Sequence, residues 1–239
     1  MTDVQRLDPI EATRLFIKEN FPRCQAALLA GSVVRGESTE TSDLDIVVFD
    51  EKFSSSYRES FFKYGWRIEV FVHNLTSYKS YFLSDIKRAR PSLPQMVVEG
   101  VIIKDEGLVT KLKEEANILL NKGPEEWSAR TIVEKRYFLT DSLDDFTGCN
   151  DRAEEIFIVA TLAELVSEFV LRTNNCWIGN SKWMVRSLKM YDIKFTDDFV
   201  TAFDEYYRTG DKLTVIQLVD AVLEPHGGRL FEGFSSGKV

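Results

Sequence analysis

Past Gly107, every apolar pattern in this chain has the period of a helix, and none alternates as a strand does. The stretches Lys111–Asn121, Glu125–Phe146, Arg152–Arg172, Ser181–Met190, Asp197–Tyr207 and Lys212–Leu223 all repeat in this way. Gly123-Pro124 and the segment from Gly148 to Asp151 are the clearest breaks between them. Before Gly107 the pattern is mixed. Residues 9–20 form a helix carrying Ile10, Leu15, Phe16 and Ile17 behind a proline suited to a first turn. Ala26–Ala30 reads as a buried strand, and Leu44–Phe49 and Trp66–His73 alternate and are rich in β-branched and aromatic residues. Val101–Lys104 is a shorter fourth strand, preceded by a helix over roughly residues 76–98 that Pro91 and Pro94 interrupt. The fold class is therefore α+β: a small mixed sheet flanked by helices at residues 1–106, then a helical bundle at 107–239.

Charge narrows the partners. With 38 acidic and 30 basic side chains, the net charge is -8. Nucleic acid is excluded as the main partner, because phosphate contact along a strand needs clustered Lys and Arg. No apolar run approaches the roughly 20 residues of a membrane-spanning helix, and residues 1–16 lack the pattern of a signal peptide. Cys24, Cys149 and Cys176 are an odd, widely spaced set, which argues against a disulfide framework or a zinc site and for a cytoplasmic protein. With only His73 and His226 present, any bound metal is expected to be a hard cation held by carboxylates.

The chemistry concentrates in Gly31–Phe49. Gly31-Ser32 follows a strand and precedes Val33-Val34-Arg35, a stretch able to begin a helix, so backbone N–H groups and the Ser32 hydroxyl can face a phosphate. Asp43 and Asp45 lie two apart at the start of the next strand, so both carboxylates leave one face while Leu44, Ile46 and Val48 turn to the other. Like charges so placed repel one another, and a divalent cation turns that repulsion into binding. Ser42 stands beside the pair and can orient a carboxylate. Glu69 is an acidic residue in the middle of an apolar strand. It needs either an ion-pair partner, with Arg67 two residues away on the same face, or a metal.

Gly-Ser, ten residues, Asp-x-Asp on a strand and an acid on the following strand together resemble the polymerase-β-type nucleotidyltransferase superfamily over residues 24–73. Arg90–Asp105 resembles the segment that closes this domain in small bacterial members, and the helical half is similar in size and character to the C-terminal domains of aminoglycoside and lincosamide nucleotidyltransferases. The resemblance implies transfer of a nucleoside monophosphate, AMP first among them, from a nucleoside triphosphate to a hydroxyl of a small molecule. It implies two Mg²⁺ ions held by Asp43, Asp45 and Glu69, with Gly31, Ser32 and Arg35 on the phosphates. Transfer to a protein hydroxyl, as in regulatory or toxin-neutralising relatives, is the alternative, and a non-catalytic nucleotide-binding module a further one.

Three features bear on the acceptor. Asp141, Asp144 and Asp145 share a helix face, either as a solvated stripe or as contacts for an amine-bearing substrate. The segment Trp177–Trp183 offers Trp177 for stacking, Ser181 as a helix cap and Lys182 for the triphosphate, unless its tryptophans simply fill the core. Glu99, beside Gly100, is a candidate general base or an ordinary surface turn. A monomer or a homodimer is expected.

Overall fold

The computed structural model describes residues 6–237. Two compact units are present, one running to Lys122 and the other starting at Gly123.

The first unit is built on five strands: β1 (Ala26–Ala30), β2 (Asp43–Phe49), β3 (Tyr57–Lys63), β4 (Trp66–His73) and β5 (Val101–Asp105). Their spatial order is β3-β4-β2-β1-β5, with β2 and β4 parallel and the other pairs antiparallel. Both faces are covered, because strand residues alternate between two apolar layers. Leu44, Ile46 and Val48 of β2 and Ile68, Val70 and Val72 of β4 pack with Phe16 and Ile17 of helix α1 (Pro9–Asn20). Val47 and Phe49 turn the other way. They pack with residues of α2 (Ser77–Lys87), α3 (Ser92–Glu99) and α4 (Val109–Lys122). The helix expected over 76–98 is thus two helices, parted where Ala89 takes a positive φ of 55° just before Pro91. Pro94 sits inside the first turn of α3, where its missing N–H costs nothing.

Two differences from the sequence expectations have clear physical causes. Strand β3 was not anticipated, because as a sheet edge it carries Arg58, Glu59, Ser60 and Lys63 and leaves Phe62 exposed. It reaches β4 through Tyr64-Gly65, whose φ values of 55° and 77° suit a two-residue hairpin of the primed type. The division expected after residue 106 also differs from the packing. Val109, Leu112 and Ala116 of α4 are buried in the same cluster as Ala26 and Leu28 of β1, so α4 completes the first unit.

The second unit contains α5 (Ala129–Gly148), α6 (Arg152–Thr173), α7 (Lys182–Tyr191), α8 (Ile193–Thr209) and α9 (Leu213–Leu223). They surround a core that includes Leu143, Phe146, Leu162, Phe169, Phe203 and Tyr206. The chain after α9 is tied back by Arg136, whose guanidinium donates to the carbonyls of His226, Gly227 and Gly228 at 2.6–2.9 Å. No helix among the described residues is long and apolar enough to cross a membrane.

If α4 belongs to the first unit's core, Leu112→Ala should cost about 3 kcal/mol. Native-state hydrogen exchange should show faster opening at the β1 amides of Ala26–Leu28 and little change in α5 to α9. Acceleration confined to the second unit would contradict this packing.

Candidate active site

The parallel pairing of β2 with β4 sets Asp43 opposite Arg67 and Asp45 opposite Glu69. Asp43, Asp45 and Glu69 lie on the same sheet face as Val47 and Phe49, at the strand ends nearest the Gly31 turn. Their carboxylate oxygens come within 4.8 Å of one another, and all three side chains are half-buried. Burial first, and then the charges of Asp43 and Glu69, push the Asp45 carboxyl up to about 6, partly offset by Arg35 and Arg58. Such a site favours any species that supplies positive charge. The donor set fits a hard divalent cation: carboxylate oxygens only, close enough to share one ion, in a partly dehydrated setting.

Gly31 lies against this cluster because nothing else fits there. A Cβ at position 31 would fall 2.0 Å from Asp45 Oδ2, and its φ of 83° disfavours a side chain as well. The stretch after it does not continue as a helix. Arg35 N–H reaches Gly31 O at 3.4 Å and Gly36 N–H reaches Val33 O at 3.3 Å. Gly36 then takes φ 72°, and Glu37 N–H returns to Ser32 O at 2.9 Å. Any anion here would be held by single N–H groups and side chains, without a helix dipole behind them.

Ser32 is buried and donates to Ser42 Oγ at 3.2 Å. Ser42 Oγ also accepts from Thr39 N–H at 2.8 Å. Ser42 therefore orders the 37–42 loop and the Ser32 hydroxyl, where an orienting contact to an aspartate had been expected. Arg35 pairs with Glu37 and with Glu99, and the Gly31 N–H donates to Glu99 Oε1 at 3.2 Å. Glu99, read from sequence as a base or a surface turn, is thus fixed beside the Gly31-Ser32 turn.

Glu69 has an ion-pair partner, and it is Arg58 of β3. Arg67 had been the expected candidate. Arg58 also lies over the Phe71 ring, 5.0 Å from its centroid. The sequence reading missed Arg58 because it missed β3; the Tyr64-Gly65 turn before an alternating strand was the available signal.

The acceptor candidates other than Glu99 lie in the second unit. Asp141, Asp144 and Asp145 are exposed on α5, and Asp144 pairs with Arg229 at 3.1 Å, so one charge of the stripe is met within the unit. Trp177 is half-buried ahead of α7, and Lys182 is exposed at its first position. Ser181 occupies the cap position with φ 52°, but its side chain makes no capping hydrogen bond.

Residues 10–103 match the family model of the nucleotidyltransferase domain. Those residues therefore carry a nucleotidyltransferase domain. The match contains the Gly31-Ser32 turn and all three clustered carboxylates. A crystal structure of a nucleotidyltransferase-like protein from Exiguobacterium sibiricum is similar with 15% identity and a TM-score of 0.46, over 91% of this chain and 74% of that one. Nothing among curated proteins matches the chain.

The raised Asp45 carboxyl gives the nucleotidyltransferase domain a pH-dependent response to metal. Its folded-state value of about 6 lies above the ordinary aspartate value, so ionising Asp45 works against folding. That loss begins near pH 4, grows to about pH 6 and is complete above it. A divalent cation offsets the loss only where Asp45 is ionised. Saturating Mn²⁺ should therefore raise the melting temperature by several degrees at pH 7.5 and by much less at pH 5.0, measured calorimetrically. Asp45→Asn should raise the metal-free melting temperature at pH 7.5 and flatten the metal response. Equal Mn²⁺ shifts at the two pH values would contradict the assignment.

Proposed function

We propose that this protein transfers a nucleoside monophosphate from a nucleoside triphosphate to a hydroxyl group of a small molecule, with divalent metal held by Asp43, Asp45 and Glu69. The observation that carries this reading is the convergence of those three carboxylates within 4.8 Å in a nucleotidyltransferase domain, against a glycine turn too tight for any side chain.

In this reading Asp43, Asp45 and Glu69 would together hold the divalent metal. When bound, divalent ions supply Lewis acidity, neutralising phosphate charge and making the acceptor hydroxyl more acidic. The chain's own groups bind and orient. The Ser32 hydroxyl and the Gly31 N–H direct the outer phosphates, and Arg35 supplies charge beside them. In the nucleotide-free domain the Ser32 O–H donates to Ser42 Oγ at 3.2 Å, and it turns from Ser42 to a phosphate oxygen when nucleotide binds. The acceptor oxygen bonds to the α-phosphorus as the bond to the bridging oxygen breaks. Pyrophosphate leaves, and the hydroxyl proton passes to solvent.

For the acceptor, an amine-bearing molecule fits the exposed Asp141 and Asp145 better than a neutral one, and an aminoglycoside- or lincosamide-like antibiotic has both the amines and the hydroxyls. Each charge-assisted hydrogen bond is worth about 1.5–3 kcal/mol.

The test is transfer of label from α-³²P nucleoside triphosphates to a panel of aminoglycosides, lincosamides and hydroxyl-bearing metabolites, with pyrophosphate release measured in parallel. Asp45→Asn and Glu69→Gln should each lower turnover by at least about a hundredfold, the scale of losing a major electrostatic stabiliser, while far-UV circular dichroism stays unchanged. Ser32→Ala should raise the nucleotide KM more than the acceptor KM, and Asp141→Asn the reverse. Near-normal turnover in Asp45→Asn would remove the metal-centred reading. Label appearing only on added protein would redirect it to a protein hydroxyl.

A further inference from the structure

Glu99 is placed in a way that its own helix does not explain. It is the last residue of α3, where the carbonyl end of the helix disfavours an acid, and that last turn carries no basic residue. Its side chain is nevertheless only 12% exposed. The backbone that carries it is pinned on two sides. Lys113 Nζ donates to Val98 O at 3.0 Å and to Gly100 O at 2.8 Å, satisfying carbonyls at the helix end. Gly100 is packed so closely that a Cβ there would meet Met96 O at 2.7 Å and Leu28 Cβ at 3.0 Å.

From that fixed position the carboxylate reaches the phosphate-facing turn. The Gly31 N–H and the Arg35 guanidinium both donate to the same oxygen, Oε1, while Gln95 Nε2 lies 3.4 Å from Oε2. A backbone N–H and a guanidinium converging on one anionic oxygen is the arrangement a phosphate oxygen would receive. We infer that Glu99 occupies the phosphate position of the nucleotide-free domain, so that a triphosphate must displace its carboxylate from Gly31 and Arg35 before binding. The inference rests on the proposed nucleotide site and adds a built-in competitor to it. It assigns Glu99 a role other than removing a proton from the acceptor.

The consequence is a binding tax. If the site is open only a fraction of the time, the apparent Kd exceeds the intrinsic one by the reciprocal of that fraction. A carboxylate holding two donors is the stronger competitor; a neutral amide of the same shape can still accept from Gly31 but holds Arg35 more weakly. Discrimination follows too. A singly charged anion would displace Glu99 poorly, whereas a metal-bound triphosphate offers several oxygens at once.

The experiment is isothermal titration calorimetry of the full chain with Mg·ATP, Mg·GTP and magnesium tripolyphosphate, on the wild type, Glu99→Gln and Glu99→Ala. Glu99→Gln should bind the triphosphates about tenfold more tightly, corresponding to a site open about a tenth of the time in the wild type. Glu99→Ala should bind them more tightly than the wild type as well. Mn²⁺ affinity without nucleotide, read by electron paramagnetic resonance, should change less than about twofold in Glu99→Gln, since the triad is untouched; a general loosening of the domain would lower it. In turnover, the nucleotide KM of Glu99→Gln should fall. Unchanged or weaker triphosphate binding in Glu99→Gln overturns the inference while leaving the nucleotide site standing. A chain that binds no triphosphate in any of the three forms overturns both.

Discussion

Like-charge repulsion at one end of a parallel strand pair is the constraint around which the N-terminal domain is arranged. Asp45 and Glu69 are register partners on β2 and β4, and Asp43 shares their face. Nothing in the core requires this. The opposite faces of the same strands, through Leu44, Ile46, Ile68 and Val70, provide the burial that holds the sheet together. The acids are therefore a local cost carried by strands whose apolar faces are strong enough to bear it. Their neighbours respond to that cost. Gly31 leaves space for the Asp45 carboxylate, Arg58 reaches across from β3 to Glu69, and Asp45 holds its proton to about pH 6. Local electrostatic strain of this kind, placed where the backbone is well supported, is characteristic of sites built for a ligand.

How much of this was readable from sequence depended on range. The alternation in Trp66–His73 located β4 at its observed ends and put Glu69 on the face opposite Ile68 and Val70, because a strand's period is a local property. Asp43 and Asp45 fell on one face for the same reason. What alternation could not supply was the neighbour across the sheet. Arg58 belongs to an edge strand whose charged residues read as loop, and its pairing with Glu69 exists only once the Tyr64-Gly65 hairpin closes. The contact of Glu99 with Gly31 spans 68 residues and needs β5 laid beside β1. Helical periodicity, likewise, showed that Asp141, Asp144 and Asp145 share a face of α5. It could not show that Arg229, 85 residues further on, meets Asp144. Spacing reveals faces, and only folding reveals partners.

The domain boundary illustrates the same limit. Helix α4 has the period of the helices that follow it, so by pattern it groups with them. By packing it groups with what precedes it, since Leu112 and Ala116 belong to the buried cluster shared with α3 and β1. That packing also places Lys113 at the end of α3, so a helix that looks remote from the chemistry in sequence fixes the backbone under Glu99.

Charge within the site connects these pieces. Asp43, Asp45 and Glu69 carry three negative charges when ionised, and Arg58 supplies one positive charge in contact with Glu69. The remainder, two negative charges, is what a single divalent ion neutralises. A second divalent ion would leave the cluster positive, a state that becomes favourable once the negative charge of a triphosphate is present. Resident carboxylates suited to one ion, with the second accompanying the nucleotide, is thus the balance that the proposed reaction requires. The phosphate side mirrors it. Arg35 and the Gly31 N–H both donate to Glu99, and Glu37 is a second anionic partner of Arg35. The ligand-free domain thereby keeps Arg35 paired with its own side chains, while the carboxylate half stays negative. Binding then replaces an internal partner by ligand on the phosphate side and brings positive charge to the carboxylate side.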